Sequence, residues 1–348
     1  ENVAYTIGKS YGSYFKKFLD KNKCVIGMDN RLSSKSLKAA LQEGLLDSGI
    51  NVIDYGEITT PMHYYTRYIE NTYGIMITAS HNPKDDNGFK FSFDPVANAR
   101  GKMIEDFKKF TLQGNFLEGQ GMHETRNIKE KYLKYLEENI DMGSKKIKVV
   151  FDPGNGVTST IIKDAINLFP NIDPVYICDI SDGTFPNHHP DPAVEENMKM
   201  LKEKVLETKA DLGIAFDGDG DRLGIIDENG KFIMADQYLI VAVRDLITKV
   251  KNKTFLCDVK CSKSLIDEIY MSRTGTSFTE ANTKENNIPL GGELSGHIFF
   301  NDRGPEICSA IYAGLRFVEI LSKTEKTFSQ LLEGIIPYIS TPEIKIPC

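Results

Sequence analysis

Short apolar runs separated by polar, glycine-bearing turns set the rhythm of this chain. Residues 24–29, 52–55, 74–77, 147–152, 174–178, 212–216, 254–258 and 298–300 are such runs. Their length and their Val, Ile and Phe content predict buried strands. Between them the apolar spacing lengthens to the helical period. Ala4, Ile7, Tyr11, Tyr14, Phe15 and Phe18 share one helical face, and so do Leu37, Leu41 and Leu45, with Gly49 as a C-cap. Thr60-Pro61 predicts an N-cap followed by proline at the first helical position. Further helices are predicted over 157–169, over 264–270 and around Tyr132, Leu133, Tyr135, Leu136 and Ile140, with a short apolar run near Phe278.

The pattern repeats. Three strands end in an aspartate, Asp29, Asp152 and Asp258, and each is followed by a turn, a helix and another strand. This is the signature of a β-loop-α-β unit used three times. The expected fold is α/β, with three tandem related α/β domains of mixed, mostly parallel sheets and an active site in the central cleft. The polar stretch 113–127 reads as the first linker. The second break falls after Glu228-Asn229-Gly230, so the expected domains are 1–127, 128–235 and 236–348. The run 344–348 reads as extended, and the chain as a piece cut from something longer.

Composition narrows the function. The formal net charge is −7, with Lys and Arg dispersed among acids, which argues against a nucleic-acid partner. No apolar run approaches the ~18 residues of a membrane span. Cysteines at 24, 178, 257, 261, 308 and 348 form no close Cys/His cluster of zinc type. Free thiols in a cytoplasmic protein are the expectation.

Four motifs carry candidate chemistry. In T-A-S-H-N-P at 78–83, Ser80 should stand just beyond the carboxyl end of strand 74–77, where open α/β sheets place ligands. It is a candidate phosphoryl carrier, or a turn residue bonding its own backbone. D-G-D-G-D-R at 217–222 is the most specific. Asp217, Asp219 and Asp221 crowd three negative charges, a costly arrangement without a cation among them. An oxygen-only set suits a hard ion such as Mg²⁺, and Arg222 is a forked donor suited to phosphate. An EF-hand loop is excluded, because Arg222 occupies the obligatory glycine position and the flanks read as strands.

G-G-E-L-S-G-H at 291–297 offers Glu293 and Ser295 to sugar hydroxyls and His297 to phosphate or a proton, unless it is an ordinary hairpin turn. In N-G-F-K at 87–90, Lys90 can neutralise charge or move a proton near Ser80, or simply solubilise the surface. G-N-G at 154–156 fits a phosphate-binding turn or plain helix packing. Lys260, in D-V-K-C-S at 258–262, stands at a strand end. No Walker A cradle is present.

Taken together and in this order, these motifs resemble the α-D-phosphohexomutase family. D-V-K-C-S and F-P-N-H-H-P-D-P at 185–192 point to its phosphomannomutase/phosphoglucomutase branch. The resemblance covers essentially the whole chain. It implies that Ser80 is a phosphoserine with His81 beside it. Asp217, Asp219 and Asp221 would hold Mg²⁺ together with an oxygen on Ser80. Arg222 would bind near the transferred group, Lys90 would assist proton transfer, and His297 would stand at the reacting end. Glu293 and Ser295 would bind sugar hydroxyls, with Lys260 also on substrate. The implied reaction shifts a phosphoryl group between O1 and O6 of mannose or glucose phosphates through a hexose 1,6-bisphosphate, as phosphoryl transfer by positioning and charge neutralisation.

Three departures stand out. Nothing matches the family's fourth domain with its Arg-Ser-Gly-Thr-type loop, nor its N-terminal Tyr-Asp-x-Arg segment. T-G-T-S at 274–277 replaces the more usual T-G-H-S. Two alternatives therefore stand beside the mutase: a sugar-phosphate-binding protein on the same scaffold without turnover, and a Mg²⁺-dependent sugar phosphatase.

Overall fold

The structure is a computed structural model that describes residues 1–19, 21–93, 98–261, 269–305 and 307–335. It contains three α/β units. The first runs α1 (Asn2–Phe18), β1 (Lys23–Met28), α2 (Ser34–Asp47), β2 (Asn51–Glu57), α3 (Thr60–Glu70), β3 (Tyr73–Ile77), β4 (Phe89–Phe91), α4 (Lys102–Gln113) and β5 (His123–Thr125). The second runs α5 (Lys129–Asn139), β6 (Ile147–Asp152), α6 (Ile162–Asn167), β7 (Ile172–Tyr176), α7 (Lys199–Thr208), β8 (Leu212–Phe216), β9 (Leu223–Asp227) and β10 (Phe232–Ile233). The third has α8 (Ala235–Leu246), β11 (Phe255–Asp258), β12 (Ile269–Ser272), α9 (Thr276–Glu285), β13 (Leu290–Gly292), β14 (Ile298–Phe300), α10 (Ala310–Ser322) and α11 (Phe328–Leu331).

The sheets share one four-strand order, with a fifth strand added at opposite edges of the first two. The first is β4-β3-β1-β2-β5, the second β10-β9-β8-β6-β7, and the third β12-β11-β13-β14. In each, the unit's first strand pairs in parallel with its second and third, and the third pairs antiparallel with its fourth. Parallel strands covered on both faces read as continuous apolar runs, which is why β8 is buried at every position.

One core joins the units. It links Val25 and Ile53 of the first sheet to Phe151, Ile214 and Phe216 of the second and Phe255 and Phe300 of the third. Helix α10 is buried along all 13 residues; its two charged residues, Arg316 and Glu319, are paired with Asp302 and Arg303, as buried charges must be. It packs against β14 of its own unit and also against β6, β8 and β9 of the second. No helix among the described residues is long and apolar enough to cross a membrane.

The structure corrects several sequence expectations. Phe18 is 61% exposed rather than on the buried face of α1. The proposed linker 113–127 contains β5, which pairs in parallel with β2 and so belongs to the first sheet. The N-cap of α3 is Thr59, whose hydroxyl accepts from the Met62 N–H at 3.2 Å, and Pro61 lies one position later than expected. The helix expected over 157–169 is a 3₁₀ turn at Val157–Thr160 followed by α6.

The helix expected over 264–270 falls partly outside the described residues, and its last two positions lie in β12. There, pairing with β11 over Phe255↔Ile269 to Asp258↔Ser272 decides the conformation, a tertiary override of local pattern. The run at Phe278 is in α9, a helix. The run 344–348 is outside the described residues.

Candidate active site

The three sheets aim three loops at one place. Residues 78–88 join β3 to β4, 217–222 join β8 to β9, and 293–297 join β13 to β14. Ser80 sits in the left-handed region at φ 51°. Such a backbone is costly for a residue with a side chain and persists only where surroundings fix it. Its N–H donates to Thr78 Oγ1 at 2.9 Å. Its hydroxyl donates to Asp217 Oδ2 at 2.6 Å, and His81 Nδ1 is 3.4 Å from the same hydroxyl.

The loop is held by Arg31, which the sequence reading passed over. Its guanidinium donates to the carbonyls of Ser80 (2.7 Å), Asn82 (2.8 Å), Pro83 (2.5 Å) and Asp86 (3.0 Å), and to Asp29 Oδ2 at 3.1 Å. The Asp-x-Arg spacing after β1 was the available signal.

The carboxylates of Asp217, Asp219 and Asp221 are fully buried, with an oxygen of each within 4.8 Å of the others. Asp217 Oδ1 accepts the backbone N–H groups of Gly220, Asp221 and Arg222, each at 3.0 Å. Asp219 Oδ2 accepts from Thr60 Oγ1 (2.6 Å), Thr78 Oγ1 (3.0 Å) and Lys90 Nζ (2.7 Å). Lys90 also reaches Asp221 Oδ2 at 2.7 Å, and His297 Nε2 lies 3.1 Å from Asp221 Oδ1. Glycine is required at 218, where a Cβ would stand 2.5 Å from the Ser80 carbonyl oxygen, and at 220, where φ is 81°.

Burial, and then the charges of Asp219 and Asp221, push the Asp217 carboxyl well up. Burial acts the same way on Asp221, but Lys90 and His297 reverse it and hold that carboxyl well below its usual range. Burial lowers Lys90 and His297, yet the facing carboxylates outweigh it, raising Lys90 and bringing His297 to about 9. Burial, with Arg222 nearby, lowers His81 to about 4, leaving a neutral imidazole at neutral pH.

The donor set fits a hard cation. It is all oxygen, and Asp219 Oδ1 is buried with no hydrogen-bond partner, an expense native proteins avoid unless a ligand or ion compensates.

A cavity of about 450 Å³ opens beside these groups. Ser80, Lys90, Asp221, Arg222 and His297 line it, with Tyr64, Asn98, Arg100, Thr276 and Phe278. Glu293, Ser295, His81 and Lys260 do not line it. Glu293 turns inward: Oε1 accepts from Thr279 Oγ1 (2.6 Å) and the Gly275 N–H (3.2 Å), and Oε2 from Ser295 Oγ (3.1 Å). Burial raises it, but His297 at 3.2 Å, with the hydrogen bonds from Thr279 and Ser295, outweighs burial and lowers it to about 2. Thr276, of the divergent T-G-T-S stretch, is 3.1 Å from His297 Nδ1. Lys260 is exposed just past β11.

Comparison with known proteins gives a consistent result. Residues 1–111, 130–230 and 234–338 match the models described as phosphoglucomutase/phosphomannomutase, alpha/beta/alpha domains I, II and III. The chain is 38% identical to the phosphomannomutase/phosphoglucomutase of Pseudomonas aeruginosa, over 99% of this chain and 75% of that protein. It is 34% identical to the phosphoglucomutase of Neisseria gonorrhoeae, over 99% and 76%. A crystal structure of a phosphoglucomutase/phosphomannomutase family protein from Burkholderia thailandensis superposes with a TM-score of 0.91 at 33% identity, covering 98% of this chain and 77% of that one.

Proposed function

Because this chain belongs to the phosphoglucomutase/phosphomannomutase family and is a hexose-phosphate mutase, we propose that it moves a phosphoryl group between O1 and O6 of mannose or glucose through Ser80. The observation that carries this is the meeting of the three loops: Ser80 Oγ 2.6 Å from Asp217, Lys90 bridging Asp219 and Asp221, and His297 3.1 Å from Asp221, with Ser80, Lys90, Asp221 and His297 on the wall of one cavity.

Ser80 carries the phosphoryl group on Oγ. In the forward half-reaction the bond from phosphorus to Ser80 Oγ breaks as a bond to the free sugar hydroxyl forms, giving a hexose 1,6-bisphosphate, and the proton lost by that hydroxyl ends on the released Ser80 Oγ. After the bisphosphate turns over, its other phosphate returns to Ser80. Asp217, Asp219 and Asp221 would hold Mg²⁺, for which the unpartnered Asp219 Oδ1 is an available donor. When bound, the ion offsets charge on the phosphoryl oxygens.

Arg222 reaches the transferred group from the cavity wall; its Nε is buried without a partner. Lys90, whose proton is held tightly by two carboxylates, acts first as a fixed positive charge where the hydroxyl loses its proton. His297 supplies a second cation at the reacting end. His81 keeps Ser80 company as a neutral ring. Glu293 and Ser295 take sugar hydroxyls by exchanging their mutual bonds for bonds to substrate, and Lys260 serves the substrate's outer edge.

Ser80→Ala tests the reading. Incubation with glucose 1,6-bisphosphate should label the parent and leave the variant unlabelled, and coupled isomerisation of both hexose 1-phosphates should vanish with it. Labelling of the variant at the parent's level would remove Ser80 from the reaction. Steady phosphate release without isomer formation would replace the mutase by a phosphatase.

A further inference from the structure

A second set of ligating side chains lies outside the cavity, behind the carboxylate loop. Asp152 ends β6 and is fully buried. His188, in the loop after β7, places Nε2 3.0 and 3.2 Å from the two Asp152 oxygens. Its Nδ1 stands 3.0 Å from the His189 carbonyl, so Nδ1 carries the hydrogen of that bond and Nε2 is the ligating nitrogen. This is the usual way a protein orients a metal-binding imidazole. The Gly154 N–H fixes Asp152 in turn, donating to Oδ1 at 2.9 Å. Cys178 stands at φ 48°, a strained backbone. Its sulfur, an Asp152 oxygen and a His188 nitrogen all lie within 4.8 Å of one another.

We propose that Asp152, Cys178 and His188 form a second cation site, for a borderline divalent ion of the zinc type, separate from the carboxylate cage. The donor sets assign different ions to the two sites. Thiolate, imidazole and carboxylate select a zinc-like ion over Mg²⁺, whereas the cage is all oxygen. Three protein ligands leave a fourth, tetrahedral position for water. Access exists, because the His188 side chain is 13% exposed. As the Sγ–metal and Nε2–metal bonds form, the Cys178 thiol proton and the proton shared between His188 and Asp152 leave to solvent. The site adjoins the cage through the turn at 153–157, where the Val157 N–H donates to the Gly218 carbonyl at 3.1 Å.

Cobalt(II) is the probe, added to the thiol-reduced chain with Mg²⁺ in excess to occupy the cage. The expected result is a thiolate-to-cobalt charge-transfer band that saturates at one ion per chain and is displaced by Zn²⁺. The band should disappear in Cys178→Ser and need at least about tenfold more cobalt in His188→Gln. The double variant Cys257→Ser/Cys261→Ser should keep it, and the weakened cobalt binding of His188→Gln keeps the proposal falsifiable even if Cys178→Ser folds poorly. Absence of the band in the parent, its survival in Cys178→Ser, or its loss in the Cys257/Cys261 double variant would each overturn the proposal.

Discussion

Arg31 is the sharpest test of how the Ser80 loop is held. Its side chain is fully buried and makes five hydrogen bonds, four of them to carbonyls of residues 80–86 and one to Asp29. No other side chain could replace this fork, since guanidinium presents its donors in a fixed plane. Truncating one partner of a buried charged pair costs about 3–5 kcal/mol. Asp29 would keep two donors after Arg31→Ala, the Arg31 backbone N–H at 3.1 Å and Ser34 Oγ at 2.5 Å. Three of the four carbonyl bonds are only partly buried, so water can replace them.

Together these place the loss near the lower end, about 3 kcal/mol for Arg31→Ala. Arg31→Lys keeps the charge but has three donors at a single point, and should lose about half as much, since each charge-assisted bond contributes about 1.5–3 kcal/mol.

The effect on catalysis should exceed the effect on substrate binding. Ser80 would relax from its strained backbone, and a displacement near 1 Å can cost about a hundredfold in rate. Urea unfolding with an unchanged m-value should report the stability loss. Single-turnover transfer from phosphorylated enzyme should report the catalytic loss, with kcat falling and KM nearly constant. Hydrogen exchange should rise at 78–88 before it rises at β1. Arg31→Ala with stability within 1 kcal/mol of the parent and kcat within about threefold would refute the argument that this side chain holds the loop.

Gly218→Ala drives a methyl to 2.5 Å from the Ser80 carbonyl, so it should separate the serine loop from the carboxylate loop. We expect a cost of about 1–3 kcal/mol in thermal stability and a larger fractional loss of mutase activity, measured side by side. His63 predicts a limb of acid destabilisation: burial, reinforced by Arg67, lowers its pKa to about 3. Between about pH 6.5 and 3 the unfolded chain binds a proton that the folded chain refuses, so this contribution is intact above 6.5 and is lost as pH falls, by up to roughly 5 kcal/mol. Denaturant titrations at stepped pH should show a flatter slope in His63→Gln; parallel slopes would show that His63 does not titrate as described.

Much of the fold was legible because parallel strands buried on both faces write themselves as apolar runs. What stayed hidden was decided across space. The polar, exposed residues of β5 carry no apolar signal, and the strand exists because it adds to the edge of β2. β12 likewise takes its conformation from β11. At the site, the acids announced themselves by three carboxylates in five residues, and Ser80 by its place beyond a strand end once the acids were recognised. Thr60, Thr78 and Arg31 did not, because single threonines and an arginine in a loop are ordinary until partners 50 or more residues away are known, as the separations to Asp219 and to Pro83 illustrate. Glu293 was legible as a functional candidate, but not its orientation, which Thr279 and His297 decide.

The shared sheet order explains why three short motifs far apart in sequence meet. Ser80 lies between the third and fourth strands of the first unit, the aspartates between those of the second, and Glu293 to His297 between those of the third. At each of these places a parallel strand ends and the chain reverses into an antiparallel neighbour. Such a reversal leaves a loop at the carboxyl edge, the side of the sheet where α/β proteins hold ligands. A repeated unit therefore supplies three equivalent loops. Once α10 and the common core fix the units against one another, each loop is free to take a different part, as in the roles proposed above of phosphoryl carrier, cation cage and sugar contact. The strand-final acids follow the same logic one strand over. Asp29 is committed to Arg31, Asp152 to His188, and Asp258 accepts from Thr274 at 3.1 Å. The same position thus braces a loop in the first unit and, in the site proposed above, offers a carboxylate to a cation in the second.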